Sequence, residues 1–354
     1  MKRVSKIISL VLGVALTGAM LSGCGGAQGG SSASASSASA SSSASQTSSG
    51  GTLKKVSIQI DGAAVPYYAP LYLAKEKGYF AEQGLDVEFY YAAAADIVKN
   101  VAAGNVEFGF PNADNVVLAK SQGIPVKVVH TTYQHGLGST IFKKNSGIKT
   151  PKDLKGKTIA VTSLGSANYV QLQVLLKKAG LSTKDVKVDV IGTGAILNSL
   201  TTGKVDAITF SMLRTIELNN SGENVSEFRS DDYLPSFGNV LIAGDKLIQS
   251  NPQEVQGFCK ALTKSIEYIK NGHVDEAVSL SLQKYAPTYA SKKAITEKII
   301  NQVFIPYLWT SDYTKQHGIG ASDLSKWNNL IKTEKEYGLI DSTFDAKDLI
   351  WQQQ

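Results

Sequence analysis

The sequence predicts an α/β protein whose body folds as two lobes facing a ligand cleft. Three observations carry this. Short apolar strands alternate with helical patterns from about residue 56, which implies parallel sheets with helices on both faces. The alternation pauses near Gly147 and restarts, so it describes two units rather than one. Two extended stretches, TIFKKNS (residues 140–146) and NVLIAGDKL (residues 239–247), stand between the units, which predicts a double hinge with Ser139–Ser146 leading out and Asn239–Asp245 leading back.

In the first unit VSIQI (56–60) is a strand, followed by the helical run APLYLAKEKGYFAEQG with Leu71, Leu73, Ala74, Tyr79 and Phe80 on its apolar side. LDVEFYY (85–91) is the second strand. Asp96 is expected to cap the helix DIVKNVAAG, which closes at Gly104. VEFGF (106–110) and VKVVHTTY (126–133) are strands on either side of PNADNVVLAKSQG, a loop and helix. In the second unit PKDL opens a helical turn, TIAVT (158–162) is a strand and SANYVQLQVLLKKAG a helix. VKVDVI (186–191) and VDAITF (205–210) are strands separated by GTGAILNSLTTG. From Pro252 the chain is mostly helical, and this tail is expected to pack on the first lobe. The expected boundaries are residues 53–142 and 240–354 for lobe one with its tail, and 143–239 for lobe two.

The N-terminus carries an address. Lys2, Arg3 and Lys6 precede an apolar run over residues 7–20, short for a membrane span and suited to an export signal. The following Leu21-Ser22-Gly23-Cys24 resembles a bacterial lipobox. Residues 1–23 are therefore expected to be a signal peptide, with Cys24 lipidated. Acyl chains, at ~0.8 kcal/mol per buried methylene, would hold a domain on the extracytoplasmic face of the cell membrane. Residues 24–52, nearly all Ser, Ala and Gly, bury too little to offset their ordering entropy and form a tether.

Composition narrows the function. Removing Lys2, Arg3 and Lys6 leaves 33 basic against 30 acidic residues, a net +3. The arginines are Arg3, Arg214 and Arg229, so no clustered basic stripe speaks for nucleic acid. With Cys24 acylated, Cys259 has no pairing partner, and it sits on an apolar helical face as a core thiol. His130, His135, His273 and His317 lack metal-ligand spacing. No cofactor, metal or catalytic set is expected. A hydrolase is poorly supported, since there is no G-x-S-x-G elbow and no H-E-x-x-H helix.

The runs AKEKGYFAEQGLDVEF and PKDLKGKTIAV, with AAGNVEFGF, GIPVKVV and KVDAITF between and after them, resemble the solute-binding proteins of ABC importers for nitrate, sulfonates, taurine and thiamine-pyrimidine precursors. The likeness covers most of residues 56–285. It implies a type II-like periplasmic-binding-protein fold closing on a small-molecule solute, delivery to a membrane permease and its ATPase, and action as a monomer. Fungal members of the same family make the thiamine pyrimidine and carry a Cys-rich iron motif, which this sequence lacks. An adhesive lipoprotein is a third reading, but it gives two lobes no role.

Ligands of open α/β sheets bind outside the carboxyl ends of the strands. The candidate loops are DGAAVPYY, YAAAAD, PNADN and TTYQHG in lobe one, and TSLGSAN, GTG and FSMLR in lobe two. Tyr67, Tyr68 and Tyr133 offer aromatic faces to a planar ligand. Asn112 and Asp114 offer hydrogen bonds, though turn chemistry explains both equally. Ser166 is a candidate N-cap, placing a positive helix end at the cleft beside Ser163, Gly165, Ala167 and Asn168. Thr193, Phe210 and Ser211 complete the candidates, with Arg214, which either pairs with an acidic ligand group or bridges the lobes. These loops lean toward an aromatic heterocycle; the Ser166 helix end leans toward a small sulfonate or other anion.

Overall fold

A computed structural model describes residues 52–352. The signal, Cys24 and nearly all of the tether lie outside the described residues. The first sheet is built from β1 (Lys54–Asp61), β2 (Leu85–Ala92), β3 (Phe108–Phe110), β4 (Val126–His130) and β10 (Leu241–Gly244), in the order β2-β1-β3-β10-β4. The second contains β5 (Gly138–Lys143), β6 (Thr158–Val161), β7 (Lys187–Val190), β8 (Ala207–Ser211) and β9 (Val225–Arg229), in the order β7-β6-β8-β5-β9. Along β1 the inward residues Val56, Ile58 and Ile60 are buried while their neighbours are not, the period of a pleated strand.

The sheets are mixed rather than parallel, which corrects the expectation above. β1 runs parallel to β2 and β3, but β10 is antiparallel to β3 and β4. In the second sheet β6 runs parallel to β7 and β8, and β5 is antiparallel to β8 and β9. The two crossing stretches cause this. Each leaves one sheet and enters the other as a returning strand, so each runs against its neighbours. Both are central, and their apolar stretches, Ile141–Phe142 and Leu241–Ala243, are buried.

Helices follow the strands. The first lobe has α1 (Ala69–Glu76), α2 (Ala94–Ala103) and α3 (Ala113–Ser121). The second has α4 (Ala167–Lys178), α5 (Ile196–Thr201) and α6 (Leu213–Asn220). The N-cap of α2 is Ala93, so Asp96 lies in the first turn instead of capping it. The tail begins with α7 (Asp245–Ser250), α8 (Pro252–Lys270) and α9 (Val274–Lys284). Pro252 suits the first turn of α8, whose missing N–H is an orphan there in any case. Val255, Phe258, Cys259, Leu262, Ile266 and Ile269 then recur at helical spacing and are buried among Phe80, Phe108 and the other residues of the first lobe's core.

A later helix of the tail, Leu324–Glu336, goes elsewhere. Its Trp327, Leu330 and Ile331 share a core with Val116 and Val128 of the first lobe and Leu172 and Leu175 of the second. It therefore packs at the seam between the lobes. Among the described residues no helix is long and apolar enough to cross a membrane.

Candidate functional site: an aromatic cleft between two sheets

A cavity opens where the carboxyl ends of strands from both sheets meet. The atom-free space between its lining residues, open solvent at the mouth included, is about 720 Å³. Nine of the candidate residues line it together: Tyr67, Tyr68, Asn112 and Tyr133 from the first lobe and its crossing, and Asn168, Thr193, Phe210, Ser211 and Arg214 from the second.

Five rings line the wall, Tyr67, Tyr68, Tyr133, Phe210 and Phe304, among polar side chains. Tyr67 stacks on Phe304 with centroids 5.5 Å apart, and Tyr133 meets Phe304 edge-on at the same distance. Tyr68 and Tyr133 each meet Phe110 edge-on. Their hydroxyls are already committed within the protein. Tyr67 donates to Glu217 Oε1 at 2.5 Å, Tyr68 to the Asp61 carbonyl at 2.6 Å, and Tyr133 to the Tyr67 carbonyl at 3.3 Å. The tyrosines are thus held by their own hydroxyl bonds, leaving ring surface as what they offer a visitor.

Arg214 is buried, and its ion pair is with Glu217 of its own helix. Nη1 donates to Glu217 Oε1 at 2.6 Å and Nη2 to the Tyr289 hydroxyl of the tail at 3.3 Å, while the residue also lines the cavity. Its guanidinium lies over the rings of Phe210, Tyr289 and Tyr67, 5.3, 5.6 and 5.7 Å from their centroids. Burial alone would lower its pKa; the Glu217 carboxylate more than reverses that. Burial likewise works to raise Glu217, and Arg214 overcomes it, so both partners stay charged.

Five candidates lie outside the cavity wall. Ser166 is indeed the N-cap of α4, accepting from the Tyr169 N–H at 3.3 Å. Its loop, however, packs against the first lobe. The Gly165 carbonyl accepts from the Ala95 N–H at 3.2 Å and from Asn115 Nδ2 at 3.4 Å. A Cβ at Gly165 would stand 3.4 Å from that of Ala95. Gly165 is therefore part of a lobe–lobe contact, and Ser163, Ser166 and Ala167 flank it outside the cavity wall. Asp114 is fully buried behind the wall, where Gln171 Nε2 donates to it at 3.0 Å and the Ser236 hydroxyl also bonds it.

The structure adds residues that the sequence reading passed over. Asp61 ends β1 and lines the cavity. Burial raises its pKa from 3.8 to about 6, against bonds from Asn112 Nδ2 and from the Ala94 and Gly62 N–H groups. The signal was present, since Asp61 opens the candidate loop DGAAVPYY. Gln171 lies one turn into α4, where its setting reads as core helix. Phe304 arrives from the tail, within a π-helical segment, Ile300–Leu308, that contains Pro306. Such segments recur at functional sites, but nothing local links this one to the cleft.

Two mixed α/β sheets joined by two crossings, with a cleft between, define a periplasmic-binding-protein fold. A Candida albicans protein of that generic fold superposes with a TM-score of 0.64 at 18% identity, covering 85% of this chain and 99% of that one. The aliphatic sulphonate binding protein SsuA of Escherichia coli gives 0.63 at 16% identity, covering 85% and 92%. The chain belongs to the NMT1/THI5-like family, whose pattern matches residues 65–276. Riboflavin-binding protein RibY of Chloroflexus aurantiacus is 28% identical over 304 residues, 84% of each chain. The formylaminopyrimidine-binding protein of Halalkalibacterium halodurans is 27% identical over 308 residues, 85% of this chain and 91% of that one. Relatives also include an enzyme, the 4-amino-5-hydroxymethyl-2-methylpyrimidine phosphate synthase THI5 of Saccharomyces cerevisiae, 28% identical over 230 residues, 61% of this chain and 67% of the synthase.

Proposed function

We propose that the protein is the extracytoplasmic solute-binding component of an ABC importer. It captures a flat heteroaromatic solute in the cleft and delivers it to a membrane permease, with no chemistry of its own. Lipidation of Cys24 would keep it at the membrane on its Ser/Ala/Gly tether.

One observation carries the ligand class. The cleft wall sets fixed ring surface from Tyr67, Tyr68, Tyr133, Phe210 and Phe304 beside hydrogen-bonding groups such as Asp61, Asn112, Asn168, Gln171 and Asn239, the pairing a flat heterocycle with polar edges needs. Relatives named for riboflavin and formylaminopyrimidine, both planar heterocycles, support the same class. The anion alternative loses ground on both its supports. The cap Ser166 itself is outside the cavity wall, although Asn168 of the same first turn lines it, and Arg214 already has the Glu217 carboxylate as its counter-charge. Asp61 adds an acid where an anion would sit. The synthase reading lacks its cysteines, since the whole sequence has Cys24 and Cys259 alone. The Cys259 thiol is buried, and burial pushes its pKa up to about 12.

The test is a thermal-shift titration of the mature protein with riboflavin, 4-aminopyrimidines and short alkanesulfonates. At a hundredfold excess over Kd a true ligand adds about 2.7 kcal/mol of stability. A rise with a heterocycle is expected. A rise confined to the sulfonates would overturn the ligand class.

A further inference from the structure

The buried polar atoms of the cleft wall can be audited for partners. The tyrosine hydroxyls have them, and Asp61 accepts from Asn112 and two backbone N–H groups. Among the described residues, two buried side-chain atoms of the wall have none: Gln171 Oε1, an acceptor, and Arg214 Nε, a donor. Gln171 is only 2% exposed. A buried acceptor left unpaired costs about 1–3 kcal/mol, so each such atom needs an explanation.

The Gln171 amide is held in one orientation, and the holder lies on the other lobe. Gln171 is on α4, after β6 of the second sheet; Asp114 is on α3, after β3 of the first. The two meet at 3.0 Å across the seam. At neutral pH, above the value of about 6 to which burial raises it, Asp114 is a carboxylate and accepts only. Gln171 must therefore turn Nε2 toward Asp114 and Oε1 away from it. There the amide packs closely on Gly138, itself a wall residue: an added Cβ would stand 1.8 Å from Gln171 Oε1, so only glycine admits this orientation.

We propose that Asp114 is a positioning residue that fixes the Gln171 amide across the lobe seam, so that Gln171 Oε1 accepts a hydrogen bond from a ring N–H of the bound heterocycle. This rests on the heteroaromatic reading above and sharpens it. The solute is a cyclic amide, imide or amidine, which carries such a ring donor. Because the Asp114–Gln171 bond spans the lobes, the acceptor is correctly set only when they have closed. Recognition of the donor and closure are then one event.

The experiment compares riboflavin, whose isoalloxazine has one ring N–H, with its N3-methyl derivative, by flavin fluorescence titration of the mature protein. The parent should bind the methylated flavin roughly 5- to 150-fold more weakly, the penalty of an unmet acceptor. In Gln171→Met and Asp114→Leu that ratio should collapse to about threefold or less. Ser236→Ala, which leaves the Asp114–Gln171 bond in place, should keep it. A purely structural role for Asp114 would lower the melting temperature and both affinities, but not the ratio. Should Asp114→Leu not fold, Gln171→Met carries the test. A ratio unchanged in a folded Gln171→Met overturns the proposal and moves the N–H to another acceptor. A parent protein that binds neither flavin overturns the underlying ligand reading instead, a result separable from a lost ratio.

Discussion

Replacing Tyr67 with Phe removes one oxygen and leaves the ring. The ring stack on Phe304 and the packing in the first lobe's core persist. What disappears is the 2.5 Å bond to Glu217. Tyr67 follows β1 of the first sheet, and Glu217 lies on α6, after β8 of the second, so this bond joins the lobes across the cleft. Glu217 is not stranded by the change, because Arg214 at 2.6 Å and Lys292 at 3.3 Å still neutralise it. The loss is therefore that of one hydrogen bond to a charged group, about 1.5–3 kcal/mol. Since only the closed arrangement contains the bond, the closed-to-open ratio should fall about 10- to 150-fold. If the unliganded parent is mostly open, ligand affinity falls by the same factor. Spin labels on the two lobes, read as a distance distribution with and without ligand, measure the ratio directly. An unchanged distribution together with an unchanged affinity would refute the reasoning, by showing that the bond does not distinguish closed from open.

Three further outcomes follow from individual residues. Asp61→Asn should make the protein relatively more stable as pH rises from 4 to 6. The parent's carboxyl is neutral in both states below its ordinary 3.8, and the fold must carry it buried and charged above about 6, a gap worth at most about 3 kcal/mol. The readout is the urea midpoint of variant minus parent, because His130 and His135, both lowered to about 4 by burial, impose the opposite slope on each. Gly320→Ala should cost about 2–4 kcal/mol by urea unfolding, since Gly320 has φ +83° and an added Cβ would stand 2.0 Å from His130 Nε2. Cys24→Ser should move the protein from the membrane to the soluble fraction on cell fractionation; unchanged membrane association would remove the lipidation reading.

Much of this architecture is legible in the sequence, and the misses have physical causes. Alternating patterns such as that of β1 announce half-buried strands, and TIAV announces a buried one. The crossings read as connections because extended chain has no period to reveal its partner; pairing in β5 and β10 depends on residues some 70 to 130 positions away. VSEFR (β9) keeps Val225 buried but leaves the rest half-exposed at a sheet edge, and gives little contrast to read. At the site, the loops after the strands were accessible to reasoning, since topology alone places them. Phe304 and Gln171 were not. One arrives from a distant tail segment, and the other sits in a helix whose apolar neighbours disguise it. At the Ser166 loop the capping chemistry is legible in the sequence, whereas the bond from the Ala95 N–H to the Gly165 carbonyl is a long-range contact that local pattern does not announce.

The cleft and the hinge share a residue, which bears on how a solute could close the lobes. The stretches read as crossings are strands β5 and β10, and the links between the sheets are residues 131–137 and 230–240 just before them; these links pair with each other: the Tyr133 N–H donates to the Asn239 carbonyl at 3.0 Å, and the Gly238 N–H to the Tyr133 carbonyl at 3.1 Å. A Cβ on Gly238 would meet that of Tyr133 at 2.9 Å, so the strands approach this closely only because residue 238 is glycine. Beside them Asp231 accepts from the Gly136 N–H at 3.1 Å and from the Tyr307 hydroxyl, which ties the hinge to the tail. β5 and β10 are locked as central strands in their sheets, so bending has to fall between them and the ends of β4 and β9. Tyr133 stands in that interval with its backbone in the hinge ladder and its ring in the cleft wall. A solute packed on that ring would directly touch a residue of the link between the lobes.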